Sequence, residues 1–118
     1  MSDSPKNCLF CRIIAGEIPA RKAYEDEMVV AFHDVNPQAP RHILICPREH
    51  VPTLDDLRPE HESVAGRAIR VAAELARQGG DAASGYRVVI NCREGAGQSV
   101  FHLHMHVLGG RTFGWPPG

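Results

Sequence analysis

Three histidines recur at every second position in the stretch "FHLHMHVL" near the end of the chain, as His102, His104 and His106. Side chains at i, i+2 and i+4 project from the same face of a strand, so this spacing predicts three imidazoles on one face. Three interpretations fit such a row: a solvated polar face, a metal-chelating site, or acid–base and nucleophilic chemistry. The last draws on imidazole's ability to titrate near neutral pH without a shifted pKa.

The loop before the histidines is rich in glycine and reads "EGAGQS", residues 94–99. It supplies exposed backbone N–H groups and a hydroxyl, and such a loop can form a concavity that binds anions. Glycines in a turn before a strand are also ordinary hairpin chemistry. Next to the histidine row, the loop favours a phosphate held against imidazole nitrogens.

A second group of candidate residues is the pair Cys8 and Cys11 in "CLFC". One CxxC pair is a weak zinc signal, because a structural zinc site normally needs four ligands. A redox role is less favoured, because the sequence around the pair lacks a thioredoxin-like βαβ pattern. Cys46 and Cys92 lie in or beside apolar strands and are interpreted as small buried residues.

Composition limits the class of protein. The chain has 118 residues, 43% of them hydrophobic, and a formal net charge of −1. This length predicts one domain, and the charge argues against nucleic acid as a partner. No apolar run is long enough to cross a membrane, and "MSDSPKN" has no signal-peptide core. We therefore expect a cytoplasmic location, reduced cysteines, disorder over residues 1–7 and a tail over 111–118.

The elements that must position these residues can be read from periodicity and from turn residues. The order of the predicted elements indicates an antiparallel α+β sheet and not a βαβ pattern. The predicted elements are a short helix or turn over 8–16, strands over 28–34, 42–47, 86–91 and 101–109, and a long helix over 59–77.

The motifs together resemble the histidine triad (HIT) superfamily, in its Hint branch. The resemblance rests on "HLHMHVL", on the segment 18–50 from "IPARKAYEDE" to "CPREH", on "GAGQSVFH" and on the terminal "WPPG". It extends from about Cys8 to Gly118. It implies a single HIT domain over 1–118 with a HIT-like α+β fold: an antiparallel sheet of about five strands, one long and one short helix, and sheets joined across a homodimer.

The resemblance also implies an activity. Hint-like proteins are purine nucleoside phosphoramidases, which hydrolyse the P–N bond of nucleoside 5′-phosphoramidates of the AMP or GMP type. His104 matches the nucleophile that forms a covalent nucleotidyl-histidine, and His106 matches the histidine that contacts the phosphoryl oxygens. His42 matches a histidine of the proton network, and Ser99 a residue near the leaving group. No cofactor is required for this chemistry.

The same resemblance assigns a binding pocket and a metal site. The residues matched to nucleotide binding are Leu9, Phe10, Ile13, Ile18, Phe32, His33, Asp34, Val35, Asn91, Gly97, Gln98, Ser99, His104, His106 and Trp115. Among them, Asp34 matches the carboxylate that pairs with ribose hydroxyls, and Trp115 lies in a tail that reaches the partner's active site. Structural zinc, found in some family members, would be held by Cys8, Cys11, His50 and His102.

Three alternatives to a phosphoramidase remain. One is a dinucleoside polyphosphate hydrolase of the same superfamily, against which the "WPPG" ending and the "AGQS" loop argue. Another is a regulatory nucleotide-binding protein whose hydrolysis is incidental. The last is a metal-storage protein. Relative rates on a phosphoramidate and on a dinucleoside polyphosphate separate the first alternative from the leading hypothesis.

Overall fold

The computed structural model describes residues 5–118. Residues 1–4 of the segment predicted to be disordered lie outside the described residues, and Pro5–Asn7 form a 3-10 turn. The helices are α1 (Leu9–Ile14) and α2 (Glu62–Gln78). The strands are β1 (Lys22–Glu25), β2 (Val29–His33), β3 (Arg41–Pro47), β4 (Tyr86–Val89) and β5 (Met105–Gly109).

The strands form one five-stranded sheet in the order β1-β2-β3-β5-β4. Every neighbouring pair is antiparallel. This arrangement, with one long and one short helix, confirms the predicted α+β fold. The central strands bring several predicted site residues next to one another: residues 32–34 in and just after β2, His42 in β3 and His106 in β5.

Both faces of the central strands are buried, because β2 and β3 carry apolar side chains at nearly every position. One face packs against α2 and the other against α1. The cluster on the α2 face contains Val29, Ala31, Ile45, Ala68, Val71, Ala72, Leu75, Met105 and Val107. The cluster on the α1 face contains Cys8, Phe10, Ile13, Val30, Phe32, Leu44 and Cys46. The predicted burial of Cys46 is therefore observed, while Cys92 is half-buried.

The long helix begins and ends close to the predicted bounds of 59–77. Pro59 opens a 3-10 turn over Pro59–His61, and the α-helix starts at Glu62. At the other end, the Gly79 and Gly80 N–H groups donate to the carbonyls of Leu75 and Arg77. Gly80 has a φ of 85°, which glycine adopts without a steric penalty. Over the described residues, no helix is both long enough and apolar enough to span a membrane.

The predicted strand over 101–109 is wrong in its first four residues, since β5 starts at Met105. Ile45 pairs with Met105, so two residues further along β3 Pro47 would face Leu103. Proline has no N–H to donate, and the ladder ends there. The Leu103 N–H donates instead to Val51 O at 2.7 Å. His102 and His104 therefore precede the strand. The exposed first strand, β1, was not identified individually from the sequence.

Candidate functional site

A cavity of about 320 Å³ lies on the α1 face of the sheet, within the size range of small-molecule sites. Its lining residues are Leu9, Phe10, Ile13, Ile18, Pro19, Ala20, Phe32, His33, Asp34, Val35, Leu44, Ser99, Val100, His104 and His106. Most residues predicted to bind nucleotide are among them. Asn91, Gly97, Gln98 and Trp115 are not. The sequence reasoning missed Pro19, Ala20, Leu44 and Val100, whose apolar side chains gave no signal distinct from ordinary core packing.

Aromatic side chains form the inner wall of this cavity. Phe10 of α1 packs edge-on against Phe32 of β2, with ring centroids 5.2 Å apart. It also packs edge-on against His104, at 5.0 Å. Such edge-to-face contacts hold rings in fixed orientations. The wall thus offers an apolar surface for a flat ring and fixes the plane of the His104 imidazole.

One ring nitrogen of His104 makes a hydrogen bond to the main chain, and the other does not. Its Nδ1–H donates to His102 O at 2.7 Å, which assigns the proton to Nδ1 and the lone pair to Nε2. The side chain is buried. Burial lowers the pKa of His104, because the charged imidazolium is disfavoured away from water. The residue is therefore a neutral imidazole with Nε2 available as a nucleophile at neutral pH.

His106 and His42 form a hydrogen-bonded pair beside His104. The Gln38 N–H donates to His42 Nδ1 at 3.0 Å, so the neutral ring carries its proton on Nε2. His42 Nε2–H then donates to His106 Nδ1 at 2.9 Å, which leaves the His106 proton on Nε2. Burial, with the neighbouring His104 and His42, lowers the pKa of His106 to about 4. His106 is thus a neutral N–H donor in the cavity.

Asp34 lies at the end of β2, next to this pair. Its Oδ1 accepts a hydrogen bond from the Asn36 N–H at 2.8 Å, and its Oδ2 is 3.4 Å from His42 Nε2. Ligand atoms of Asp34, His42 and His106 lie close enough together for a metal ion. However, the Gln38 N–H places the His42 proton on Nε2, the atom that would have to bind the metal. The hydrogen bonds therefore favour a proton relay at this position.

The loop after β4 is held in place by Gln98, which is 4% exposed. Gln98 Oε1 accepts from the Arg93 N–H at 2.7 Å, and Nε2 donates to Pro52 O and Val100 O at 2.9 and 3.0 Å. These bonds use both N–H groups and one lone pair of the oxygen of the side-chain amide within the protein. Arg93 has a positive φ of 70°, a conformation that costs a non-glycine residue energy. In this structure Gln98 shapes the loop, and the exposed Ser99 faces the cavity.

A second group of side chains lies at the start of α1, beside the cavity. Cys8, Cys11, His50 and His102 each place one ligand atom within 4.8 Å of all the others. Cys11 Sγ lies 3.3 Å from His50 Nδ1 and 3.4 Å from His102 Nδ1. Cys8 Sγ lies 3.4 Å from His102 Nδ1. The four residues predicted to bind metal thus form one compact set of two sulfur and two nitrogen donors.

The protonation states of His102 and Cys11 are those expected of groups that bind a cation. His102 Nε2–H donates to Pro47 O at 2.7 Å, so its Nδ1 lone pair points toward the sulfur atoms. The His102 Nδ1 atom also lies 3.3 Å from His50 Nδ1. Burial, reinforced by Cys8, raises the pKa of the Cys11 thiol to about 11. Its thiolate therefore forms at neutral pH only next to a positive charge.

Comparison with known proteins places this arrangement in a family. The family described as the HIT domain matches residues 15–113, which is most of the chain. The chain belongs to the HIT domain family. This confirms the resemblance identified from the sequence. The histidines of the "HLHMHVL" motif are the ones that the structure brings to the cavity and to the metal-ligand cluster.

Named relatives of this HIT protein include enzymes. It is 50% identical over 106 residues to the purine nucleoside phosphoramidase of Escherichia coli (strain K12), an alignment covering 90% of this chain and 89% of that protein. The solved structure of a HIT family hydrolase from Legionella pneumophila superposes with a TM-score of 0.93 at 46% identity, covering 95% of this chain and 100% of that one. A histidine triad protein from Clostridium difficile gives a TM-score of 0.88 at 41% identity, covering 92% and 94%.

Proposed function

We propose that this HIT protein is a hydrolase, and specifically a purine nucleoside phosphoramidase with His104 as its nucleophile. The observation that carries the proposal is the tautomer of His104. Its Nδ1–H is bound to His102 O, and its Nε2 lone pair is left free in a cavity with an apolar wall and a carboxylate. The phosphoramidase activity named for the 50%-identical Escherichia coli relative supports the same reaction.

The geometry distributes the steps of the reaction among these residues. His104 Nε2 forms a bond to the α-phosphorus as the P–N bond breaks, and the leaving nitrogen takes up a proton from solvent water and departs as the neutral amine. His106 Nε2–H stabilises the charge that develops on a phosphoryl oxygen. Ser99, an exposed residue of the cavity lining, would contact the departing amine. Water then attacks the phosphorus and gives up a proton to solvent as the P–Nε2 bond breaks, which releases the nucleoside monophosphate and restores neutral His104.

The nucleoside is expected to occupy the rest of the cavity. Phe10 and Phe32 provide apolar surface for the purine ring. Asp34, at the end of β2, offers two carboxylate oxygens to the two adjacent ribose hydroxyls. Binding of the ribose would place the α-phosphate between Asp34 and the loop that Gln98 holds, within reach of His104.

Replacing His104 by alanine tests the function. We expect His104→Ala to lower kcat on an adenosine 5′-phosphoramidate by roughly a thousandfold or more, with AMP binding retained. His61→Gln is the matched control, because His61 is also buried but pairs with Glu49 away from the cavity. Unchanged turnover by folded His104→Ala would contradict the assignment. Faster hydrolysis of a diadenosine polyphosphate than of the phosphoramidate would favour the alternative branch.

We also propose that Cys8, Cys11, His50 and His102 bind one structural zinc ion. A tetrahedral zinc with two sulfur and two nitrogen ligands has ligand–ligand distances of about 3.3–3.8 Å. The sulfur–nitrogen and nitrogen–nitrogen distances of 3.3 and 3.4 Å fit that geometry. The bond from His102 Nε2–H to Pro47 O is the usual way in which a ligating histidine is oriented. Zinc would tie α1, the aromatic wall and the triad together.

Metal analysis tests this site. We expect one zinc per chain in the wild-type protein, and less than about a tenth of that in Cys11→Ser, because a single ligand change weakens binding strongly. Removing zinc with a chelator should lower the melting temperature of the wild-type protein and leave that of Cys11→Ser unchanged. Cys92→Ser is the control, since Cys92 lies outside the cluster. Full zinc content in Cys11→Ser would contradict the proposal.

The homodimer implied by the family resemblance is proposed as well. Tyr86 and Val88 of the edge strand β4 pair with Gly109 and Val107, so they share the α2 face of the sheet. Both are exposed, and so is Ile69 of α2, at 61%. Exposed apolar side chains on an edge strand, and on the helix that covers the same face of the sheet, favour burial against a second copy. Trp115, 85% exposed, is absent from the lining of its own chain's cavity, as expected if it serves the partner's site.

A further inference from the structure

The C-terminal segment is connected to the catalytic histidines by a continuous series of hydrogen bonds. Arg111 Nε–H donates to Gln38 O at 2.9 Å. The N–H of the same Gln38 donates to His42 Nδ1 at 3.0 Å. His42 Nε2–H then donates to His106 Nδ1 at 2.9 Å. A side chain that lies after the last strand thus touches the residue that sets the proton position in the relay.

The Arg111 guanidinium is itself held in place. Its Cζ lies over the Phe113 ring, 4.2 Å from the centroid, and its Nη1–H donates to Thr112 O at 3.1 Å. Arg87 of β4 also lies over Phe113, at 5.2 Å, and donates to Gly114 O at 2.7 Å. Cation–π contacts and bonds to backbone carbonyls therefore order this exposed arginine in one position.

The turn that Arg111 contacts has few other ways to orient His42. Its sequence, "NPQAP", contains two prolines, which have no N–H, and Gln38 supplies the N–H that reaches the imidazole. The turn is also fixed at its start, by the bond from the Asn36 N–H to Asp34. Arg111 binds the same turn at Gln38 O. Displacement of Gln38 would leave His42 Nδ1 without a donor, and the Nδ1–H tautomer would then compete with the Nε2–H tautomer.

We infer that Arg111 is a positioning residue for the His42–His106 pair, acting through the backbone of Gln38. It keeps His42 in the tautomer that donates to His106, so that His106 presents its own Nε2–H to the phosphate. The effect on turnover rests on the proposed function. The effect on the His42 tautomer does not.

Kinetics give the first test. We expect Arg111→Ala to lower kcat on an adenosine 5′-phosphoramidate by about fivefold, the equivalent of one lost hydrogen bond of about 1 kcal/mol, with a much smaller change in KM. Arg111→Lys should recover part of the loss by keeping a donor at this position. Arg77→Ala, which removes an exposed positive charge on α2, is the control and should leave kcat unchanged. Wild-type kcat in Arg111→Ala would overturn the inference.

A double mutant distinguishes positioning from a general structural effect. If Arg111 acts through His42, Arg111→Ala should have no further effect in a His42→Ala background. An equal loss in both backgrounds would show that Arg111 acts elsewhere and would overturn the inference.

The ¹⁵N chemical shifts of the His42 ring nitrogens test the same idea without catalysis or a second substitution. Wild-type His42 should show the Nε2–H tautomer, and Arg111→Ala a mixture of the two. A single Nε2–H tautomer in Arg111→Ala would overturn the inference, whatever the activity. Failure of the proposed function would appear separately, as retained turnover in His104→Ala.

Discussion

His102, His104 and His106 are equally spaced in the sequence, but their hydrogen-bond partners leave a different group free on each ring: an Nδ1 lone pair, an Nε2 lone pair and an Nε2–H. His102 donates from Nε2 to Pro47 O, which leaves the Nδ1 lone pair beside the sulfur atoms of Cys8 and Cys11. His104 donates from Nδ1 to His102 O, which leaves its Nε2 lone pair free in the cavity. His106 accepts at Nδ1 from His42, which leaves Nε2–H as a donor. At the residue scale, hydrogen-bond partners divide three identical side chains into three chemical roles.

The pH dependence of turnover follows from these assignments. Burial lowers the pKa of His104 below its usual value near 6.5, and the nucleophile must be neutral. We expect kcat/KM to be constant from about pH 7 to pH 8 and to fall only as the pH drops below about 6.5, because protonation removes the Nε2 lone pair. A rate profile measured with the phosphoramidate checks this. An acid limb centred above pH 7 would contradict the assigned cause, since desolvation cannot raise the pKa of a histidine.

Residue spacing pointed to the histidine row and to the loop before it, and the family resemblance implied which other side chains would line the cavity, but neither gave all of their contacts. The structure brings Cys8, Cys11, His50 and His102 together, and it places His42, which the resemblance puts near the triad, against His106. The bond from Gln38 to His42 and the bonds of the Gln98 amide within the protein have no sequence pattern of their own. They depend on backbone carbonyls and N–H groups whose positions are set by where β3 ends and how the turns close.

At the element scale, β2, β3 and α2 were predicted to within three residues at each end. Long apolar runs, Pro47, and the glycines after α2 mark their bounds clearly. The strand β1 was not identified individually, because its four residues are partly exposed and include Lys22 and Glu25. The start of β5 was misplaced, because the residue that ends its ladder is a proline in a different strand. Such pairing constraints are invisible in a local pattern.

One glycine in the β3–β5 pair gives a test of the packing around the sheet. Gly109 pairs with Arg41, and a Cβ at Gly109 would overlap the buried Asp81 carboxylate that binds Arg41. We expect Gly109→Ala to lower the free energy of unfolding by about 2 kcal/mol, because Asp81 must move away from its partner. Denaturant titration measures this change.

Gly66→Ala is the control for that experiment. A Cβ at Gly66 of α2 meets no atom within 4 Å, so this variant should be more stable by about 0.5–1 kcal/mol through helix propensity. Equal stability of Gly109→Ala and the wild-type protein would show that the Asp81–Arg41 pair rearranges at no cost.

At the scale of the whole molecule, the two edges of the sheet differ. The β1 edge has an irregular register between Lys22 and Tyr24, and its Glu25 is bound by Lys22 and Arg48. Charges and irregularities of this kind discourage pairing with another chain. The β4 edge carries exposed Tyr86 and Val88, and α2, which covers the same face of the sheet, carries exposed Ile69. The edge chemistry therefore favours β4, and not β1, as the place where a second copy would join the sheet.

A charge on the β4 edge tests the dimer. We expect the wild-type protein to have twice the chain mass by light scattering, and Val88→Asp to have the mass of one chain, because a carboxylate cannot be buried cheaply in an apolar interface. Ala83→Asp places the same charge in the exposed loop before β4 and should remain dimeric.

If Trp115 completes the partner's cavity, Val88→Asp should lose activity on a phosphoramidate with a bulky amine. Trp115→Ala should show the same loss while remaining a dimer. A dimeric Val88→Asp would place the interface elsewhere, and a monomeric wild-type protein would contradict the dimer itself.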